Sequence, residues 1–180
     1  MSQYLVLTAI GSDRTGCVSE LTKLVSECGC NISDSRMAIF GLEFTFIMLL
    51  HGDNQSINKL EARLPMVAHN LELITMMKRT SGHKVYDLVE HYQAEYTGTD
   101  QPGTLQSMTA FFSSRKIDIS SLKSKIDPNT NSMNASIAFA LTQNVNIKDI
   151  EKDFFRLCEK ISIQGYIKKI PTILCNEELN

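Results

Sequence analysis

The sequence predicts an α+β protein built from two tandem βαββαβ domains, each with a four-stranded antiparallel sheet. Three observations predict this class: the chain repeats itself, each half alternates strand-type and helix-type apolar spacing in the same order, and matched glycine-bounded turns follow the first strand of each half. These turns are residues 11–16 (Gly-Ser-Asp-Arg-Thr-Gly) and residues 98–103 (Gly-Thr-Asp-Gln-Pro-Gly), 87 residues apart. The offset grows to 90 farther along, and we assign the extra residues to a longer hairpin loop at 127–131.

The first half contains every element of one βαββαβ unit. Residues 4–10 predict the opening strand. The helix that follows is indicated by apolar residues at helical spacing, namely Val18, Leu21, Leu24, Val25 and Cys28. Residues 32–40 and 44–50 predict a hairpin that turns at Gly41. A second helix is expected from about Ser56, kinked or shortened by Pro65, and a closing strand is expected over 71–77.

The second half repeats this order. Its opening strand is predicted over 92–97, and its first helix by Leu105, Met108, Phe111 and Phe112. Strands are expected over 123–126 and 135–141. A helix follows from about Asn146, where Asp149 three residues later resembles a capping box. The last strand is predicted over 163–167.

This order of elements corresponds to the ferredoxin-like plan, in which both helices cover one face of the sheet. We expect a first domain over residues 1–80, a linker over 81–91 and a second domain over 92–180. Each sheet would keep a bare face and exposed edges, which packing against another copy of the domain can protect.

Composition and charge exclude several classes of function. The net charge is −2, and neither half of the chain is basic, so the electrostatic signature of a nucleic-acid-binding protein is missing. No apolar run approaches the roughly 20 residues that span a bilayer, and the N-terminal residues lack the features of a signal peptide. The five cysteines form an odd, irregular set (Cys17, Cys28, Cys30, Cys158 and Cys175), which favours reduced thiols and a cytoplasmic protein.

The Gly-x-Asp-x-x-Gly turn is the strongest local motif, and it has two interpretations. In the structural one, the glycines permit a tight strand-to-helix turn and the aspartate caps the helix. In the functional one, backbone N–H groups at the helix N-terminus bind a carboxylate. Repetition at matched positions, with Asn31 or Asp118 at the start of the next strand, favours a site. The turn does not match either phosphate-binding glycine motif.

No residue pattern supports catalysis, a cofactor or a metal site. Cys28 and Cys30 form a lone Cys-x-Cys pair, and Cys28 lies on the apolar helix stripe, which favours a buried thiol. The four histidines lack metal-ligand spacing, and His83 and His91 are expected at the surface. No serine or cysteine lies in an activating motif. We therefore expect a protein that is not an enzyme.

These features resemble the ACT domain. The resemblance rests on tandem βαββαβ copies, each with an Asp-x-x-Gly turn and an Asn-Ile or Asp-Ile pair at the start of the next strand. A free-standing pair that opens Tyr-Leu-Val-Leu-Thr-Ala-Ile-Gly-x-Asp-Arg-x-Gly is similar to the family of glycine cleavage system transcriptional repressors. That resemblance implies a negative regulator of the glycine cleavage operon that senses a small amino acid such as glycine. It also implies action on a LysR-type activator without direct DNA binding.

The same resemblance implies the ligand-binding residues. They are Gly11, Asp13, Gly16 and Asn31 in the first half, and Asp100, Gly103 and Asp118 in the second. Two positions depart from the ACT pattern, because Thr15 stands where these loops often have proline and Asp118 replaces the asparagine. An acidic Asp118 would repel a carboxylate, so the second site is expected to be altered or empty.

Two other functions stay open. A regulatory subunit of an amino-acid metabolic enzyme would share the fold, the site and the ligand class. An enzyme that uses the cleft between the two copies is a weaker alternative, since no catalytic residues support it. A homodimer is also left open by the sequence.

Overall fold

The structure, a computed structural model of the chain, describes residues 2–81, 89–142 and 145–171. The chain divides into two compact units, Met1–Lys84 and Val85–Asn180, and each contains the βαββαβ order that the sequence predicts. The first unit consists of β1 (Gln3–Ser12), α1 (Cys17–Glu27), β2 (Asn31–Phe40), β3 (Glu43–Gly52), α2 (Asn54–Asn70) and β4 (Ile74–Thr80). The second consists of β5 (Val89–Thr99), α3 (Thr104–Ser114), β6 (Ile119–Asp127), β7 (Ser132–Thr142), α4 (Ile147–Lys160) and β8 (Gln164–Ile170).

Each unit has one antiparallel sheet with its two helices on the same face. The strand orders are β2-β3-β1-β4 and β6-β7-β5-β8, so the first strand of each unit is central. Alternate residues of β1, such as Leu5 and Leu7, are fully buried in one cluster with Leu21 of α1 and Leu60 of α2. Burial of this face stabilises the unit, and it leaves the opposite face of the sheet without a helix.

The repeat is visible residue by residue in the paired strands. Both edge strands carry a β-bulge at the same place, at Ser33 in β2 and at Ser120 in β6. The turn between β6 and β7 is two residues longer than the turn between β2 and β3. The hairpin loop therefore supplies two of the three extra residues and not all of them, which corrects the sequence-based assignment. The third extra residue lies between the β6–β7 hairpin and helix α4.

Helix α2 runs through Pro65 to Asn70, so the predicted shortening is wrong. Proline removes one backbone donor inside a helix, but Pro65 lies on the exposed side, where water can bind the carbonyl that loses its partner. The helix also begins earlier than predicted, because the Asp53 side chain accepts a hydrogen bond of 2.7 Å from the Ser56 amide. In α4 the side chain of the predicted cap residue, Asn146, accepts a hydrogen bond of 3.1 Å from the Lys148 amide.

The predicted linker overlaps the second unit. Strand β5 begins at Val89, inside the span 81–91 that the sequence assigned to the connection. Residues 82–88, which include His83, lie outside the described residues, as does Cys175. Within the described part of the chain, no helix has the length and apolar character needed to cross a bilayer.

Candidate functional site

The first glycine-bounded turn connects β1 to α1 and is held by backbone hydrogen bonds. The Asp13 amide donates to the Leu42 carbonyl in the hairpin turn at 3.1 Å, and the Cys17 amide donates to the Arg14 carbonyl at 3.4 Å. Gly16 is the N-cap residue of α1, with a φ of 99°. This left-handed conformation is strained for any residue with a Cβ, so glycine is required here for the backbone.

The first amides of α1 have no side-chain cap. The predicted role of Asp13 as the cap is therefore wrong. The reason is positional: Gly16 itself is the N-cap and has no side chain, and Asp13 lies three residues before it in the exposed turn. A helix N-terminus with uncapped amides carries a partial positive charge and donors that point outward. A carboxylate is the kind of group that such a turn can bind.

Arg14 adds a cation to this turn, and the sequence reasoning did not identify it. Its guanidinium donates to the Leu71 carbonyl and forms an ion pair of 3.3 Å with Glu72. Both side chains are largely exposed, so the pair itself contributes little to stability. The guanidinium is thus anchored at the segment before β4, where Glu72 balances its charge. The available signal was the arginine in the turn, which the second turn replaces by Gln101.

The second turn has the same backbone geometry. Gly103 is the N-cap of α3 with a φ of 91°, and no side chain caps that helix. The Asp100 amide donates to the Asn131 carbonyl at 2.9 Å, and the Thr104 amide donates to the Gln101 carbonyl at 3.2 Å. The two turns therefore offer the same amides, but only the first has an arginine at the equivalent position.

Gly11 has a packing role that is independent of any ligand. A Cβ at this position would lie 2.5 Å from Leu73 Cδ2 and 3.2 Å from the Glu72 carbonyl oxygen. The matching residue, Gly98, would place a Cβ 2.7 Å from Ile163 Cγ2. Both glycines let the end of the central strand approach the segment before the closing strand. This contact explains the residue type at position 11 without a ligand.

Asn31 lies at the opposite end of the sheet from the turn. It pairs with His51, and His51 pairs with Tyr4 at the start of β1, whereas Gly16 follows the end of that strand. The eight steps along the strand from Tyr4 to Ser12 extend about 26 Å at roughly 3.3 Å per residue. Asn31 and the Gly16 turn are therefore not brought together within the unit.

The same separation exists in the second unit. Asp118 comes directly before β6, whose first residue pairs with Phe139 and so lies level with Tyr92 near the start of β5. Gly103 follows the end of β5. The physical reason is the crossover helix, because α1 and α3 run back along the sheet and so place the next strand parallel to the first.

A small polar group surrounds Asn31 that the sequence reasoning also missed. Ser33 Oγ lies 2.6 Å from His51 Nδ1, and the His51 and Tyr4 rings lie 5.9 Å apart. The bulge at Ser33 places these residues. The repetition of serine at positions 33 and 120 was the available signal, although a bulge itself leaves little trace in a sequence.

Comparison with known proteins identifies the first unit as an ACT domain, since the family model described as "ACT domain" matches residues 3–78. The glycine cleavage system transcriptional repressor of Escherichia coli K12 is 36% identical over 171 residues, which cover 93% of this chain and 90% of that protein. The chain belongs to this repressor family.

Two solved structures resemble the whole chain. One, assigned as a glycine cleavage system transcriptional repressor, is 35% identical, covers 96% of this chain and 99% of its own, and superposes with a TM-score of 0.74. The other, an unknown protein from Galdieria sulphuraria, is 20% identical with the same TM-score and supports the fold alone. Repressor names and the ACT domain together make this chain a non-enzymatic regulator with a tandem domain repeat.

The cysteines in the described part of the chain are buried as free thiols. Cys28 and Cys30 are buried, and burial raises the pKa of the Cys30 thiol, which disfavours the reactive thiolate. Among the described residues, no group of three or more histidine, cysteine or acidic side chains could hold a metal ion.

Proposed function

We propose that this protein is a cytoplasmic negative regulator of the glycine cleavage genes, which senses a small amino acid, glycine foremost. In this proposal it acts by binding a LysR-type activator and not by binding DNA. The names of its relatives support the target genes, since they are called repressors of the glycine cleavage system. The near-neutral charge of both halves supports a protein partner over nucleic acid.

The observation that carries ligand sensing is the Gly16 turn of the first unit. Uncapped amides at the start of α1 offer donors and a partial positive charge for a carboxylate. The exposed Arg14 guanidinium, which is paired with Glu72, would exchange this partner for the ligand's carboxylate. The exposed Asp13 carboxylate would accept a hydrogen bond from the ligand's ammonium group. Gly11 would keep the end of β1 close to the segment before β4. Gly16 supplies the backbone conformation that the turn requires.

Asn31 and the residues of the second unit would not bind the ligand in the same way as the Gly16 turn. Since about 26 Å separates Asn31 from the turn within one unit, Asn31 can contact the same ligand only from a second molecule. In the second unit, Asp100 and Gly103 would form an altered turn, in which Gln101 supplies no positive charge. Asp118 lies at the opposite end of the sheet from that turn, so it can contact the same ligand only from a second molecule.

The size of glycine limits its affinity. About five heavy atoms at a ceiling of about −1.5 kcal/mol each give roughly −7.5 kcal/mol, which corresponds to a dissociation constant of several micromolar or weaker. Such affinity suits a sensor of an abundant metabolite. A preference of about 1–3 kcal/mol for one state would change partner affinity by roughly 5- to 150-fold.

Titration calorimetry of the full chain with glycine tests the sensing proposal. Arg14→Gln installs the residue of the second turn and should weaken binding about tenfold, because one charge-assisted hydrogen bond is lost. The matched control, Gln101→Ala, should leave the affinity unchanged. Absence of binding at millimolar glycine would overturn the proposal. A large effect of Asn31→Ala would show that a second molecule completes the site.

A mobility-shift assay tests the mode of action. The protein alone should not retard the control region of the operon at low salt, whereas it should alter the complex formed by the activator. Specific retardation by the protein alone would contradict the proposed mechanism, and it would do so independently of glycine binding.

A further inference from the structure

The sheet face of the first unit that lies opposite α1 and α2, the outer face, is unusually apolar. Its residues follow from strand pairing, because directly paired residues in an antiparallel sheet share a face. Three rows cross the middle of this face, each with one residue from β2, β3, β1 and β4 in that order. They are Ala38–Thr45–Ile10–Ile74, Arg36–Ile47–Thr8–Met76 and Asp34–Leu49–Val6–Lys78. Seven of these twelve residues are apolar.

Several of these apolar side chains are open to solvent. Ile74 is 77% exposed and Met76 is 68% exposed, and both lie on the edge strand β4. Ile47 and Ile10 in the middle of the face are 44% and 39% exposed. At the end of the face, next to the hairpin turn, Phe40 is 68% exposed. A contiguous apolar patch of this kind marks an interaction surface.

The second unit shows that the fold does not require this composition. Its equivalent rows are Lys125–Asn134–Thr97–Gln164, Lys123–Ser136–Glu95–Tyr166 and Ser121–Ala138–Gln93–Lys168. Only Ala138 and the ring of Tyr166 are apolar in these rows. Glu95 accepts from the Tyr166 hydroxyl and forms an ion pair of 2.7 Å with Lys168, so this face carries its own polar network. A hydrated outer face is therefore compatible with the same backbone.

We propose that the outer face of the first unit binds the same face of a second copy of this chain. Charge favours this occupant, because a twofold axis brings a patch against itself and a patch with net charge would repel its copy. On this face Arg36 forms an ion pair of 3.5 Å with Asp34. Lys78 on β4 and Glu43 at the start of β3 lie at opposite ends of the face, and their charges cancel in the net charge of the face. The face is thus apolar and carries no net charge.

The area of the face sets the strength of the dimer. Four strands about 4.8 Å apart, up to ten residues long at about 3.3 Å per residue, give roughly 600 Å². Two copies would bury about 1,200 Å² in total, which is the lower limit of specific interfaces. We therefore expect a reversible dimer with a dissociation constant in the micromolar range.

Sedimentation equilibrium of the full chain between about 1 and 200 µM tests this interface. The wild type should fit a monomer–dimer equilibrium. The double variant Ile10→Thr with Ile74→Gln installs the residues that the second unit holds at the same two positions. It should raise the dimer dissociation constant at least tenfold, while circular dichroism stays unchanged. Since the second unit folds with these residues, loss of folding is not expected.

The matched control variant is Tyr166→Ala in the second unit, which should leave the dimer intact. The proposal is overturned if the wild type stays monomeric at 200 µM, which would mean that the face awaits a different protein. It is equally overturned if a dimer forms that Ile10→Thr with Ile74→Gln does not weaken.

Discussion

The two units share their strands and helices but fill their cores with different side chains. Leu5, Val25 and Leu50 of the first unit correspond to Tyr92, Phe112 and Phe139 of the second, and all six are buried. The second unit compensates for these rings with small residues, since Ala94 and Ala135 replace Leu7 and Phe46. The alternation of buried positions is thus kept while the sizes and shapes of the individual side chains change, which packed cores tolerate when large and small residues are exchanged together.

The surfaces of the two units diverge further than their cores. The first unit has the arginine-bearing turn and the apolar outer face, and the second has a turn without a basic residue and a polar outer face. Since the backbone is the same in both, these differences are not needed for folding. We therefore propose that ligand and partner recognition lie mainly in the first unit.

The core comparison predicts the largest difference in stability. Phe112 lies with its ring centroid 4.8 Å from Phe139 and 5.2 Å from Phe111, so Phe112→Ala should cost about 3–5 kcal/mol in free energy of unfolding. Val25→Ala at the equivalent position should cost about 1–2 kcal/mol, at about 0.8 kcal/mol per lost carbon group. Urea unfolding of both variants measures the difference. Equal costs would show that the aromatic cluster is not packed as described.

The buried tyrosines of the second unit predict a loss of stability at high pH. Burial raises the pKa of Tyr96 to about 12, and burial with the Glu90 hydrogen bond raises the pKa of Tyr92 to about 12. Below pH 10 both phenols are protonated in the folded and unfolded states, so their full contribution to stability is present. Between about pH 10 and 12 the phenols lose their protons in the unfolded state before they do so in the folded state. The free energy of unfolding therefore falls by about 2–3 kcal/mol per tyrosine.

Tyr96→Phe isolates this effect. The Tyr96 hydroxyl is buried and has no hydrogen-bond partner within the described residues, so the variant should be as stable as the wild type, or more so, at pH 7. It should also lose less stability than the wild type between about pH 10 and 12. Urea unfolding at several pH values provides the measurement. Parallel pH profiles for the two proteins would contradict the assignment.

The matched glycines predict a smaller difference. A methyl group on Gly98 would lie 2.7 Å from Cγ2 and 3.0 Å from Cβ of Ile163, a branched side chain with little freedom to move. Gly98→Ala should therefore cost about 1–3 kcal/mol. Gly11→Ala meets mainly the flexible end of Leu73 and should cost less than about 1 kcal/mol. Thermal denaturation compares them, and a larger cost at Gly11 would contradict this account.

Much of the fold could be predicted because local patterns determine it. Alternation in β1 and helical spacing in α1 follow from burial of one face, and a positive φ explains the glycine at position 16. Residue 65 shows the limit of such reasoning. Whether a proline ends a helix depends on what surrounds the freed carbonyl, and exposure is a property of the folded chain.

The candidate site was less predictable than the fold. The sequence-based prediction placed Asn31 and the Gly16 turn in one binding site because both recur in the two halves. The predicted order of strands and helices already implied that they lie at opposite ends of the sheet. In a βαββαβ unit the first and second strands, which the crossover helix connects, run parallel, so their starts lie at the same end of the sheet. Arg14 was overlooked because only residues common to both halves were considered, and the arginine is what distinguishes them.

We propose that the two turns, alike in backbone, differ in ligand binding. Amide chemical shifts of the isotope-labelled full chain during a glycine titration distinguish them. We expect saturable shifts at residues 14–19, with residues 101–106 unchanged at the same glycine concentrations. Shifts at 101–106 without any at 14–19 would contradict it.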